Sequence, residues 1–297
     1  MSITKSRSQN WLRDIILGYD ENSRNHGLSG MKENLFEAAH GCLMICDPEK
    51  KVARTHHVAD SWRKGRFLLE SISPPDPIGE PGRPDRPRLV SPKELPRRNP
   101  GSAEGHAALL HAICHIEFNA INLAWDAVYR FRDMPQEFYD DWIRIADEEA
   151  THFTLLRRCL YQTGYRYGDF VAHNGLWEMA QKTAFDPLVR MALVPRVLEA
   201  RGLDVTPGIV KKLQARGDEC AVEALEIIMR DEIGHVAAGS RWFKYLCEKR
   251  GLEPESTFRR LLSQYMTGRL KGPFHKEARR EGGFSEAELA YLESVGG

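Results

Sequence analysis

A chain of 297 residues and 33.9 kDa, 42% of them apolar, has ample material for a buried core in one large domain or two ordinary ones. Lys plus Arg and Asp plus Glu both number 42, so no global field selects nucleic acid, a membrane or acidic substrates, and any such surface must be local. The six cysteines (Cys42, Cys46, Cys114, Cys159, Cys220, Cys247) include no Cys-x-x-Cys pair, the opening MSITKSRSQN leads into no apolar signal segment, and no long apolar run is present. The expectation is a cytoplasmic protein with no membrane span.

In chain order, residues 9–20 (Trp11, Ile15, Ile16) and 31–46 (Leu35, Ala38, Ala39, Leu43) carry short helical patterns, and THHVADSWRKGRFLLES (55–71) reads as another helix. Residues 1–73 are expected to form a helical extension packed on the rest. Nine of the sixteen prolines then fall between Pro74 and Pro100, which forbids regular helix or central strand over residues 74–101. Its part from Arg83 to Arg98 holds Arg83, Arg86, Arg88, Lys93, Arg97 and Arg98 against Asp85 and Glu94. It reads as a solvated, polyproline-like strap across the surface; contact with RNA or a phosphorylated partner is the second reading, weakened by the lack of interleaved aromatics.

From Ser102 the pattern changes to long helices. Ser102 caps the first, along which His106, Leu110, Ile113, Glu117, Ala120, Ala124 and Val128 recur at helical spacing until Asp133-Met134-Pro135. The second carries Phe138, Trp142, Ile145, Glu149, His152, Leu156 and Cys159 on one face and stops at Gly164. Residues 164–186 can cross over along the bundle, with Asn174 as a cap for a short helix through Trp177 and Met179. Asp186 and Pro187 open a third helix through Met191, Val194, Leu198 and Glu199, expected to end at Gly202, so that Glu199 lies near a helix end. Pro195 should kink it or mark a bulge. Thr206-Pro207 then starts a short helix, and Gly217-Asp218 resets the chain into a long one with Leu225, Ile228, Glu232, His235, Gly239 and Trp242. Residues 102–250 thus read as a four-helix bundle; 251–297 read as a helical tail (Phe258 to Met266, Ser285 to Leu292) that contributes packing.

Two Glu-x-x-His pairs, Glu149/His152 and Glu232/His235, follow lone glutamates Glu117 and Glu199 by 32 and 33 residues. Positions three apart share a helix face, so one pair can address one metal, and two pairs plus two single glutamates enclose a dinuclear site. Helical rise supports the convergence: about 27 Å from Glu117 up to the turn and about 21 Å back down to Glu149 leave the two roughly level. Carboxylates in excess over imidazoles suit iron first and manganese second, so the cofactor expected is two Fe ions, with Mn or a mixed Mn/Fe pair as alternatives.

Buried unpaired carboxylates cost several kcal/mol each, so core-facing glutamates need positive charge. Arginines could supply it, but Arg144, Arg196 and Arg230 do not share those faces. His106 and His111 are read as polar packing or support, His115 faces away from Glu117, and Cys114 is read as a small apolar residue. Glu148 and Asp231, directly before the motif glutamates, are expected to hold His235 and His152 respectively, each from the opposite helix.

Through RPRLVSPKELPRR, HAICHIEFNAINLAWDAVYRF, DEEATHF, VPRVLEARGLDVTPG, DEIGHVAAG and GPFHKEAR, from about residue 35 to 292, the chain resembles the bacterial family catalogued as domain of unknown function 455. Its ligand pattern also resembles the ferritin-like superfamily of di-iron carboxylate proteins. The resemblance implies an all-α, ferritin-like four-helix bundle with a long crossover, with Glu117, Glu149, His152, Glu199, Glu232 and His235 in the ligand positions. In relatives such as the ribonucleotide reductase radical subunit, a carboxylate directly before the second motif glutamate bonds the opposite histidine, as expected here for Asp231. The strap and N-terminal helices depart from minimal ferritins, and the longer Glu148 departs from the usual supporting carboxylate.

The leading functional expectation is an O2-dependent oxidoreductase or hydroxylase acting on an unidentified small-molecule or RNA substrate, the latter by likeness to a bacterial tRNA-modifying hydroxylase. With no dinucleotide fingerprint or cysteine cluster, electrons would come from an external donor. One alternative is iron oxidation, storage or detoxification without an organic substrate, though the terminal additions oppose a closed cage. Another is an interaction protein with an empty site. Oligomeric state is left open.

Overall fold

A computed structural model describes residues 32–70, 73–266 and 270–296. The expected helix at 9–20 lies outside them. The described chain is predominantly helical, with one two-residue parallel strand pair, β1 (Glu33–Asn34) against β2 (Phe67–Leu68).

Asn34 caps α1 (Leu35–Met44) by accepting from the Phe36 and Glu37 amides. The next helix, α2 (Pro48–Arg63), departs from expectation at both ends. It starts seven residues before Thr55, because Asp47 caps it and Pro48 occupies its first position. It stops short of Phe67, since Gly65 takes φ +67° and turns the chain into β2. Lys51, fully buried, donates to the carbonyls of Cys42 and Leu43 and to Asn122 Oδ1, tying the C-terminus of α1 to the helical core.

Residues 74–101 contain no helix beyond a 3-10 turn at Pro92–Glu94. Their backbone is pinned on both sides. The Gly82 amide donates to Leu43, where a side chain would meet the Met44 carbonyl at 2.3 Å. Val90 and Arg88 exchange hydrogen bonds with Ala172, Trp177 Nε1 donates to the Gly79 carbonyl, and Arg98 stacks on Phe170. Arg86, Arg88, Lys93 and Arg97 remain on the exposed side.

The long helices are α3 (Ala103–Arg130) and α4 (Gln136–Gln162), followed by the crossover helix α5 (Gly175–Lys182). A third helical run comprises α6 (Pro187–Leu193), a π-helical segment (Val194–Glu199) and α7 (Ala200–Arg216), and the fourth is α8 (Glu219–Lys249). Helix α3 packs on α4, α7 on α8, and α4 on α8. By length and composition α3 could cross a bilayer, yet 78% of its apolar stretch is buried inside the fold.

The third run corrects the sequence reading. It is unbroken from Pro187 to Arg216, with Gly202 and Pro207 both inside α7, so Glu199 lies mid-run and not near a helix end. Leu203, Thr206 and Leu213 bury one face of α7, and that burial outweighs the local stop signals. The disturbance expected at Pro195 is present as the π-helical segment. Gly217, at φ +76°, ends the run.

The tail forms α9 (Pro254–Tyr265), α10 (Lys276–Glu281) and α11 (Glu286–Gly296). It anchors the π-helical segment: buried Arg196 pairs with Glu288 of α11 at 2.7 Å and lies 4.2–4.8 Å from the rings of Phe258, Phe284 and Phe243. A cross-link that no spacing in the sequence announces joins Cys159 to Cys220.

Candidate metal centre

Glu117, Glu149, His152 and Glu232 are all buried, each offering a donor atom within 4.8 Å of the others. They converge because α3, α4 and α8 each place one core-facing stripe toward a common interior, and helical spacing puts Glu149 level with His152 and Glu232 level with His235. His152 Nδ1 lies 3.4 Å from Glu117 Oε2 and 3.3 Å from Glu149 Oε2. His235 Nδ1 lies 3.0 Å from Glu149 Oε1 and 3.7 Å from Glu232 Oε1. Glu149 therefore stands between the two imidazoles. Glu199, on the π-helical segment, lies outside that group of four but interacts electrostatically with Glu232, Glu149 and His235; it is partly exposed as a residue, but its Oε2 is enclosed.

The outer nitrogens are held separately. His152 Nε2 is 3.2 Å from Asp231 Oδ2, and His235 Nε2 is 2.8 Å from Glu148 Oε2, each across the α4–α8 interface. Arg144 in turn donates to Glu148 at 2.6 Å and Arg230 to Asp231 at 2.9 Å. With Nε2 donating outward, a neutral ring presents its Nδ1 lone pair to carboxylate oxygens, and those two kinds of acceptor repel unless a proton or a metal cation lies between them.

Orphaned acceptors mark the same place. Glu117 Oε2, Glu149 Oε1, Glu199 Oε2, Glu232 Oε2 and His235 Nδ1 are buried without a hydrogen bond, half of the ten such side-chain atoms among the described residues. Burial and the neighbouring Glu149 charge push Glu117 well above the usual carboxylate range; burial with Glu232 and Glu149 pushes Glu199 up to about 8. Burial disfavours charge on His152, but Asp231, Glu117 and Glu149 together outweigh it and raise the ring well above its ordinary value. His235 is raised likewise, by Glu148, Glu149 and Glu232 against burial. Burial also opposes ionisation of Asp231, yet His152 and Arg230 hold it at about 2. Without metal, the cluster must store protons to balance its charge. The donor set, oxygen-rich with two imidazoles, fits divalent iron or manganese.

The remaining sequence candidates lie elsewhere. His106 pairs with Asp218 at 2.7 Å, His111 Nε2 accepts the Gly168 amide, and His115 Nδ1 is 2.9 Å from the Tyr167 hydroxyl. Cys114 is buried, its sulfur 3.8 Å from the Phe153 carbonyl. Sequence reasoning missed the roles of Arg144 and Arg230 behind the supporting carboxylates; the Arg144/Glu148 spacing of four was the available signal.

The family described as "Protein of unknown function (DUF455)" matches residues 44–290. The chain belongs to that family. An "Uncharacterized protein" of Haemophilus influenzae is 52% identical over 265 residues, which cover 85% of this chain and 91% of that protein. No solved structure matches the chain. The family match spans all six cluster residues together with Glu148 and Asp231.

Packing behind the cluster supplies a prediction. Gly239 of α8 leaves a notch for Pro195, and a Cβ there would lie 2.4 Å from Pro195 Cγ. Gly239→Ala must displace the π-helical segment that carries Glu199. A stability loss of about 1–3 kcal/mol in denaturant unfolding and weaker metal retention are expected.

Proposed function

We propose that this chain is a ferritin-like, dinuclear metal carboxylate protein, with iron as the first metal and manganese the second, that acts as an O2-dependent oxidoreductase. The observation that carries the reading is the pair of imidazoles whose inner nitrogens face buried carboxylates while their outer nitrogens are occupied by Asp231 and Glu148.

Glu149, between both rings, would be shared by two ions; Glu117 and His152 would serve one, Glu199, Glu232 and His235 the other. When bound, two ferrous ions supply the electrons that reduce O2. The protein's own part is orientation and exclusion of water. Asp231 and Glu148 select the tautomer that leaves Nδ1 free to ligate, and Arg144 and Arg230 keep those carboxylates ionised. Ala146, Ala150 and Leu193, all 0% exposed, belong to the apolar core around the ligand helices. Reducing equivalents for repeated turnover would come from a separate donor.

Anaerobic Fe(II) titration followed by O2 mixing tests the proposal. About two ions retained per chain and O2 consumed in proportion are expected; failure to retain iron or manganese would remove it. Asp231→Ala should weaken metal binding about 10–100-fold, measured by chelator competition, because His152 loses the partner that fixes its tautomer. An unchanged affinity would place Asp231 outside the site's support.

A further inference from the structure

The strongest unassigned feature lies at the far end of the ligand helices. Cys159, in the last turn of α4, is bonded to Cys220, in the first turn of α8, with Cα atoms 5.7 Å apart. These are the two helices that carry Glu149/His152 and Glu232/His235, and Cys159 follows His152 by seven residues, two helical turns. The two sulfurs differ in setting. The Cys159 residue is 3% exposed, whereas Cys220 is only partly buried and sits in the first turn of α8, where the positive end of the helix dipole favours a thiolate. The remaining cysteines, Cys42, Cys46, Cys114 and Cys247, are unpaired.

We propose that Cys159 and Cys220 form a reversible thiol–disulfide exchange site that clamps the end of α4 to the start of α8. A dithiol reductant opens it. One reductant thiolate attacks the sulfur of Cys220, the less buried partner, the Cys159–Cys220 bond breaks, and Cys159 leaves as a thiolate and takes up a proton. The second reductant thiol then attacks the sulfur of the first; Cys220 is released, and the reductant departs as its own disulfide. Two electrons and two protons pass from reductant to protein. In the reverse direction, the Cys220 thiolate attacks a low-molecular-weight disulfide, one half leaves as a thiol, and Cys159 resolves the mixed disulfide by displacing the other. The proposal rests on the α4–α8 packing and is independent of the metal reading.

The test uses the full chain, stripped of metal with EDTA and equilibrated over a range of oxidised to reduced dithiothreitol, followed by thiol mass-tagging in denaturant. Wild type should pass reversibly between six tagged cysteines and four. Cys220→Ser and Cys159→Ser should each show five throughout. Oxidised wild type should unfold about 5 °C or more above reduced wild type, a shift absent from Cys220→Ser. Six tags under full oxidation, four tags under the strongest native reduction, loss of two tags in Cys220→Ser, or equal midpoints for the two wild-type forms would each overturn the proposal.

Discussion

Glu149→Gln is expected to reduce bound metal from about two ions per chain to about 0.2 or fewer under stoichiometric loading, read by elemental analysis after desalting. Glu149 is the carboxylate within 3.3 Å of both imidazoles, Oε2 toward His152 and Oε1 toward His235, so its loss removes a ligand from both halves of the cluster at once. A substitution at Glu117 or Glu199 should be milder by comparison. Glutamine preserves volume, so the metal-free variant should keep its helical circular dichroism, but His152 and His235 lose a shared counter-charge and it should unfold earlier than metal-free wild type. Wild-type metal content in Glu149→Gln would exclude the cluster as the binding site.

The second large effect concerns stability. Asp126 of α3, 0% exposed, receives Arg190 of α6 at 2.6 Å and Arg130 at 2.6 Å. Arg190 is itself buried and also donates to Thr183 Oγ1 and the Ala180 carbonyl. Asp126→Ala leaves a guanidinium in the core without counter-charge, which costs about 3–5 kcal/mol. Against a typical stability of about 5–15 kcal/mol, the denaturation midpoint should fall sharply. The double variant Asp126→Leu, Arg190→Met should recover most of the loss, because the penalty comes from the orphaned charge and not from the absent pair. A single-variant loss below about 1 kcal/mol would show that Arg190 reaches water.

Much of the fold was legible because its signals are local. Ser102 and Asp186 cap α3 and α6 as their positions imply, accepting the Gly105 and Leu188 amides, and Pro135 and Gly217 mark real boundaries. The cluster was legible for a related reason: helical periodicity alone puts charged residues on core-facing stripes, and a repeated interval of 32 or 33 residues brings them level. Local signals misled where burial opposed them. Gly202 and Pro207 read as a break, yet α7 continues through both because Leu203, Thr206 and Leu213 pack against the interior.

The helical class, the two Glu-x-x-His pairs, the carboxylates directly before them and the proline-rich strap all follow from composition and spacing along one chain. Helix packing, by contrast, places Glu199 in a π-helical segment inside a continuous run, ties this segment to the tail through Arg196 and Glu288, and brings Cys159 to Cys220. Those facts depend on pairings of residues 61 to 92 positions apart, or on burial that overrides a local stop signal. Neither leaves a periodic trace, because contact between distant segments is set by how the helices pack and not by the residues next to each partner.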